Sequence, residues 1–281
     1  MVIMDNHTDN IASSGHTSRM EKAETQTGSV QDVRVSVITL TWNHLDYTKK
    51  CVNSLIPLLK ENDEWILIDN NSTDGTQKYL EALQLPCKKT LFLSDKNISI
   101  SQGYNIGLKK SKGKYVLIWD NDLEIVMPET LKHMLGVFKE KPNTGIVQPM
   151  MNNLIGRTKL CESPEVLPNR LIFVGVKRTR HYPICPSAAW LISRRCVDSV
   201  GKFDERFDEY GILDFDYAKR VLMNGYDIIS DGFMWVKHHG SITAKDYLEP
   251  EMLERMQTKF NRKYGYPCLG DPGVPHGGTR G

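Results

Sequence analysis

Apolar runs alternate with helical patterns through most of the chain. Residues 33–40, 65–69, 89–93 and 115–119 read as strands, and residues 46–60, about 72–83, 101–111 and 128–139 read as helices. Ser72 or Thr73 caps the second of these helices, and Pro128 suits the first turn of the fourth. Strands alternating with helices at this spacing imply a parallel sheet covered on both faces. The pattern then loosens. Residues 152–186 hold Pro164, Pro168, Pro183 and Pro186 around the basic run Lys177-Arg178-Thr179-Arg180-His181, and read as a long excursion over the sheet. Strands over 188–192 and 226–229 and helices over 196–200, 215–223 and 249–260 are expected to extend the same sheet. The expected fold is α/β, with a Rossmann-like, mostly parallel central sheet flanked by helices and an extension from the second half.

Composition sets the ends of this unit. Residues 1–32 are rich in Ser, Thr, Asn, Asp, Glu and His and poor in large apolar groups, which predicts a disordered leader. The glycine-rich stretch 265–281 reads as a flexible tail. Residues 33–264 are left as one domain with two halves, 33–150 and 151–264. No internal repeat interrupts it.

With 40% hydrophobic and 25% charged residues the chain is ordinary for a globular protein. A formal charge of +2 gives no global reason to expect nucleic acid or an anionic membrane as partner, so any preference for anions must be local. Cys51, Cys87, Cys161, Cys185, Cys196 and Cys268 form no CxxC pair, which argues against a zinc ribbon or a disulfide scaffold and for reduced thiols. Met1-Val2-Ile3-Met4 is too short an apolar run for a secretory signal, and no later run is long enough to span a bilayer. A cytoplasmic protein, or one peripheral to a membrane, is expected.

The candidate chemistry lies at strand ends. The run 115–119 stops abruptly at Asp120-Asn121-Asp122, and in an open α/β sheet ligands bind beyond the carboxyl ends of strands. Two carboxylates on one tight turn suit a hard divalent cation, magnesium or manganese, bridging to a diphosphate; an isolated Asp-x-Asp is more often a plain polar turn. Thr39 and Asn43 put a hydroxyl and an amide at the mouth of the sheet, as site groups or as a strand end with a helix cap. Asp69 leaves its strand into an Asn/Ser/Thr/Asp/Gly turn, where it could accept from a base N–H or a ribose.

Taken in order, Val35-Ser36-Val37-Ile38-Thr39, Ile68-Asp69-Asn70-Asn71-Ser72-Thr73-Asp74-Gly75-Thr76, Asn97, Asn105-Ile106-Gly107-Leu108 and Asp120-Asn121-Asp122 resemble glycosyltransferase family 2, the inverting nucleotide-sugar enzymes of GT-A fold. The likeness continues through Ala189-Trp190-Leu191-Ile192, Phe203-Asp204, Asp214-Phe215-Asp216 and His238-His239-Gly240, covering residues 33–245. The resemblance implies that Asp69 binds the base, that Thr39, Asn43, Asn97 and Asn121 line the nucleotide-sugar pocket, and that Asp120 faces the ribose or a metal-bound water. It further implies that Asp122 ligates the metal with His238, His239 being the second candidate, and that Asp214 is the catalytic base. The family often has Glu before that base, where this chain has Leu213, and many members have Gly where this chain has Ser99.

The implied reaction is metal-dependent transfer of a sugar, from a UDP-sugar in preference, to the hydroxyl of a saccharide, a lipid-linked saccharide or another acceptor. The Lys177 to His181 run reads as a solvated loop or as a grip on an anionic acceptor, with nucleic acid the weaker case. Two other readings compete. A nucleotidyltransferase on a similar core calls for a Gly-rich, basic loop after the first strand, where this chain has Thr41-Trp42-Asn43-His44; a catalytically silent nucleotide-sugar-binding protein would not need Asp214.

Overall fold

The computed structural model of the chain describes residues 33–152, 169–175, 187–207, 212–240 and 250–265. The expected leader, most of the proline-containing excursion with its basic run, and the tail beyond 265 lie outside the described residues.

The described strands are β1 (Val35–Thr41), β2 (Glu64–Asp69), β3 (Lys88–Leu93), β4 (Tyr115–Trp119), β5 (Leu123–Ile125), β6 (Thr144–Met151), β7 (Leu171–Gly175), β8 (Ala189–Ser193) and β9 (Asp227–His238). They make one sheet in the order β3-β2-β1-β4-β8-β6-β9-β5, with β7 also paired to β9. The helices are α1 (Leu45–Leu55), α2 (Thr76–Ala82), α3 (Ile100–Lys110), α4 (Thr130–Glu140), α5 (Arg194–Val200), α6 (Leu213–Met223) and α7 (Pro250–Tyr264).

Alternation along the central strands builds two cores. Ile38, Ile66, Ile68, Val116, Ile118, Trp190 and Ile192 point to the face covered by α3, α5 and α6. Val37, Trp65, Leu67, Leu117, Trp119 and Leu191 point to the face covered by α1 and α4. Burial on both faces makes these strands near-continuous apolar runs, which is why the pattern finds them.

The same property hides their direction, and here the expectation of a mostly parallel sheet is corrected to a mixed one. β1 pairs in parallel with β2 and β4, β2 with β3, and β6 with β9. β8 is antiparallel to both β4 and β6, and β5 and β7 are antiparallel to β9. β8 is buried along its whole length, so its side chains carry the same pattern whichever way it runs.

Other differences have local causes. The first helix stops at Leu55 and passes into a 3-10 turn over Ile56–Leu58, because Pro57 lacks the N–H needed to continue it. The second helix starts after Gly75, in the left-handed region at φ 96°, and not after Ser72 or Thr73. β6 escapes the pattern because Gly145, Gln148 and Pro149 interrupt it; the register shifts beside Gly145 and again after Pro149. β9 runs well past 229, through a register shift at Asp231-Gly232 that leaves Pro149 opposite Asp231 and Met150 opposite Trp235.

Candidate active site

β4 is buried except at its start and delivers the acidic turn at its carboxyl end. Asp120 N–H donates to Ala188 O at 2.9 Å and Leu123 N–H to Asp120 O at 3.3 Å, which closes the turn and starts β5. α1 braces it from beside the sheet: Asn121 Nδ2 donates to Thr48 Oγ1 at 3.0 Å, Cys51 Sγ approaches Asp120 O at 3.4 Å, and Ile125 N–H donates to Ser54 Oγ at 3.0 Å.

β5 then pairs with the last residues of β9, Leu123 opposite His238, and His239 N–H donates to Asp122 O at 3.0 Å. This ladder sets Asp122 Oδ2 at 3.3 Å from His238 Nε2, with both side chains largely buried. Desolvation works to lower the His238 pKa, but its hydrogen bond to Asp122 and the charges of Asp122 and Asp120 outweigh it and hold it above the usual value. His239 takes a different partner, Glu124 Oε2 at 2.8 Å, and packs on the Tyr47 ring at 5.1 Å.

Asp120 is partly exposed and accepts from the Tyr104 hydroxyl at Oδ1 over 2.6 Å. Desolvation and the neighbouring charge of Asp122 push its pKa up to about 7, against the hydrogen bond from Tyr104. Asp214 lies in the first turn of α6, likewise partly exposed, and burial pushes it up to about 6 against hydrogen bonding from Ser187. Its Oδ1 is buried with no hydrogen-bond partner among the described residues. The charge of Asp214 raises the pKa of both Asp120 and Tyr104, so the two carboxylates lie within electrostatic reach of each other.

The other residues expected at the site make structural hydrogen bonds at the ends of β1 and β2 and before α3. Thr39 Oγ1 accepts from the buried Trp65 Nε1 at 3.0 Å. Asp69 is fully buried and builds its own turn, receiving Thr41 Oγ1 at 2.9 Å, Ser72 N–H at 2.8 Å and Gln77 Nε2 at 2.8 Å. Asn43, left-handed at φ 54°, ties the β1–α1 loop to the β2–α2 loop through Ser72 Oγ at 2.7 Å and Thr73 N–H at 2.8 Å. Asn97 is exposed and accepts from Asn70 Nδ2 at 2.7 Å. Ser99 caps α3 in a reciprocal pair with Gln102. Tyr104 and Ser187 were not legible as site groups, since a tyrosine on a helix face and a serine after prolines carry no spacing signal.

Among the described residues no group of three or more His, Cys, Asp and Glu side chains could hold a metal. Asp122 and His238 still offer one carboxylate oxygen and one imidazole nitrogen side by side, a donor pair that fits manganese or magnesium if phosphate oxygens and water complete the shell. Cys51, Cys87 and Cys196 are unpaired. Among the described residues no helix is long and apolar enough to cross a membrane.

Comparison with known proteins agrees with this architecture. The sequence model of "Glycosyl transferase family 2" matches residues 36–201. The uncharacterized protein y4gI of Sinorhizobium fredii is 23% identical over 248 residues, which cover 83% of this chain but only 27% of that protein. Two solved structures share the fold at 20% identity: Staphylococcus aureus TarS 1-349 in complex with UDP-GlcNAc, with TM-score 0.61 over 81% of this chain and 66% of that one, and the Pyrobaculum calidifontis mannosyltransferase PcManGT in complex with GDP-Man and Mn2+, with TM-score 0.57 over 73% and 56%. With a family match that spans more than half of its 281 residues and takes in the acidic turn, the chain belongs to glycosyl transferase family 2.

Proposed function

We propose that the protein is an inverting glycosyltransferase that moves a hexose-type sugar from a nucleoside diphosphate, UDP in preference, to an acceptor hydroxyl. In this reading residues 33–150 hold the donor and 151–264 the acceptor. The observation that carries it is Asp214, a partly exposed carboxylate pushed up to about 6, with one oxygen that has no hydrogen-bond partner among the described residues, whose charge is felt at Asp120. A sugar hydroxyl is a poor nucleophile, and a carboxylate in hydrogen-bond reach that takes its proton contributes about 10²–10⁴-fold. A base with this pKa is ionised at neutral pH and more basic than an ordinary carboxylate. Asp214 would take the proton as the acceptor oxygen bonds to the anomeric carbon and the bond to diphosphate breaks on the opposite face, which inverts the configuration.

Asp122 and His238 would hold manganese or magnesium, which when bound supplies neutralisation of the charge developing on the departing diphosphate. Asp120 would accept from the ribose. Asp69, Asn43 and Thr39 would shape the base pocket, Asp69 by holding the turn after β2. Asn97 and Asn121 would border the donor. The GDP-Man, Mn2+ and UDP-GlcNAc bound by the structural relatives support a nucleoside diphosphate sugar and a divalent cation. The acceptor would be a saccharide, free or lipid-linked, at a cytoplasmic location or at a membrane face.

The test is a panel of UDP- and GDP-sugars, with and without manganese, read as nucleoside diphosphate release and by the anomeric configuration of the product. Metal-independent release that survives Asp122→Ala would sink the metal assignment. A retained configuration would sink the role of Asp214 in a single inverting displacement.

A further inference from the structure

α3 joins the acidic turn to the helix that bears Asp214, and it can do so because it lies directly on β1. A Cβ added to Gly103 would stand 2.7 Å from Leu40 Cδ1, and one added to Gly107 would stand 2.4 Å from Ile38 Cγ2. From a helix seated this closely, two consecutive side chains reach in different directions. Tyr104 donates its hydroxyl to Asp120 Oδ1 at 2.6 Å. Asn105 clamps the backbone of Phe203, accepting from its N–H at 2.8 Å and donating to its carbonyl at 3.0 Å.

The clamped Phe203 closes a continuous aromatic path. Its ring centroid is 5.2 Å from that of Tyr104, and it stacks on Tyr217 at 4.3 Å. All three rings are buried. Tyr217 stands three residues after Asp214 on α6, so the two are neighbours on the helix surface. A tyrosine needed only for packing could place its hydroxyl on any carbonyl. Tyr104 places it on the side chain that opens the acidic turn, and so restricts rotation of a carboxylate that is partly exposed.

We propose that Tyr104 is a positioning residue for donor binding: its hydroxyl holds the Asp120 carboxylate in the orientation that receives the ribose of a nucleoside diphosphate, and the Tyr104–Phe203–Tyr217 stack ties that orientation to the helix carrying Asp214. This rests on the donor reading given above for the same site. Packing alone would make Tyr104 a contributor to stability. Positioning makes it a contributor to donor affinity that acts through Asp120.

Calorimetric titration of UDP and of GDP, each with manganese, into the wild-type chain, Tyr104→Phe, Asp120→Asn and the double variant separates the two. Tyr104→Phe should weaken the nucleoside diphosphate Kd about 10-fold and raise donor KM by a similar factor, with kcat changed by less than about threefold. The double variant should bind no more weakly than Asp120→Asn alone, because the hydroxyl acts only through that carboxylate. Additive losses, or a Tyr104→Phe Kd equal to that of the wild type, overturn the inference. Phe203→Leu, which keeps the hydroxyl and removes the ring, should lower kcat with Kd unchanged; an unaltered kcat overturns the link to Asp214. A wild-type chain that binds neither nucleoside diphosphate overturns the donor reading and this inference with it, whereas wild-type binding matched by Tyr104→Phe overturns this inference alone.

Discussion

His238 Nε2 lies 3.3 Å from Asp122 Oδ2, and the contact exists because the three residues of β5 pair with the end of β9. If this pair binds a cation, Asp122→Ala and His238→Ala should each weaken manganese-supported binding of UDP or GDP by about 100-fold. Electron paramagnetic resonance of free Mn2+ during titration with protein and nucleotide reads this directly. Equal affinity in either variant would remove that residue from the metal site.

Asp214 is expected to trade stability for activity. Its carboxyl is pushed up to about 6 by burial, so it is protonated below that pH, and turnover should climb through pH 6 to a plateau. The same shift means that ionising it destabilises the fold: the penalty is absent below the ordinary carboxylate pKa, grows through pH 6 and is complete above it. Asp214→Asn should therefore be more stable than wild type at pH 8 by about 2 kcal/mol, discounted for partial exposure, and no different below pH 4. Its kcat should fall about 10²–10⁴-fold with nucleotide affinity intact. Urea unfolding at the two pH values, alongside turnover, checks both halves; unchanged turnover removes Asp214 as the base.

Gly107→Ala tests the seating of α3. Alanine is the better helix former by about 1 kcal/mol, yet the added methyl would meet Ile38, and overpacking costs roughly 1–3 kcal/mol. A net loss of stability in urea unfolding is expected. A gain would show that α3 can move off β1 freely.

Lys263 on α7 bridges Asp204 and the fully buried Asp216, which also accepts from Arg220 at 2.8 Å and Tyr264 at 2.7 Å. Lys263→Met removes one charged donor from each carboxylate while Arg220 and Arg206 remain, so it should lower stability by about 2 kcal/mol at pH 7. The hydrogen bond from Arg206 and the contact with Lys263 hold the Asp204 carboxyl well below its ordinary range. That contribution is therefore present above the unfolded carboxylate pKa and lost as pH falls below about 4. The gap between variant and wild type should narrow in acid, as thermal melts at pH 7 and pH 3 will show.

Part of the candidate site is legible in the sequence. The acidic turn after residue 119 was legible because a buried strand that ends in charge stands out against its own apolar run. Asp214 and His238 were legible by resemblance, not by chemistry of their own. The clamp of Asn105 on Phe203 was not, since nothing local to either residue points to the other.

The amino-acid pattern by itself determined which residues turn inward, and hence the position of most strands and helices and the placing of Asp120 and Asp122 at a strand end. It could not determine that β8 runs antiparallel, because a strand buried on both faces shows the same side chains in either direction. Nor could it extend β9 past 229, because the strand continues through a register shift at Asp231-Gly232. Only the tertiary structure decided that this longer strand carries His238 to Asp122 and that α3 lets Tyr104 reach Asp120. Both contacts depend on how distant segments pair and pack, and a one-dimensional pattern of burial holds no record of that.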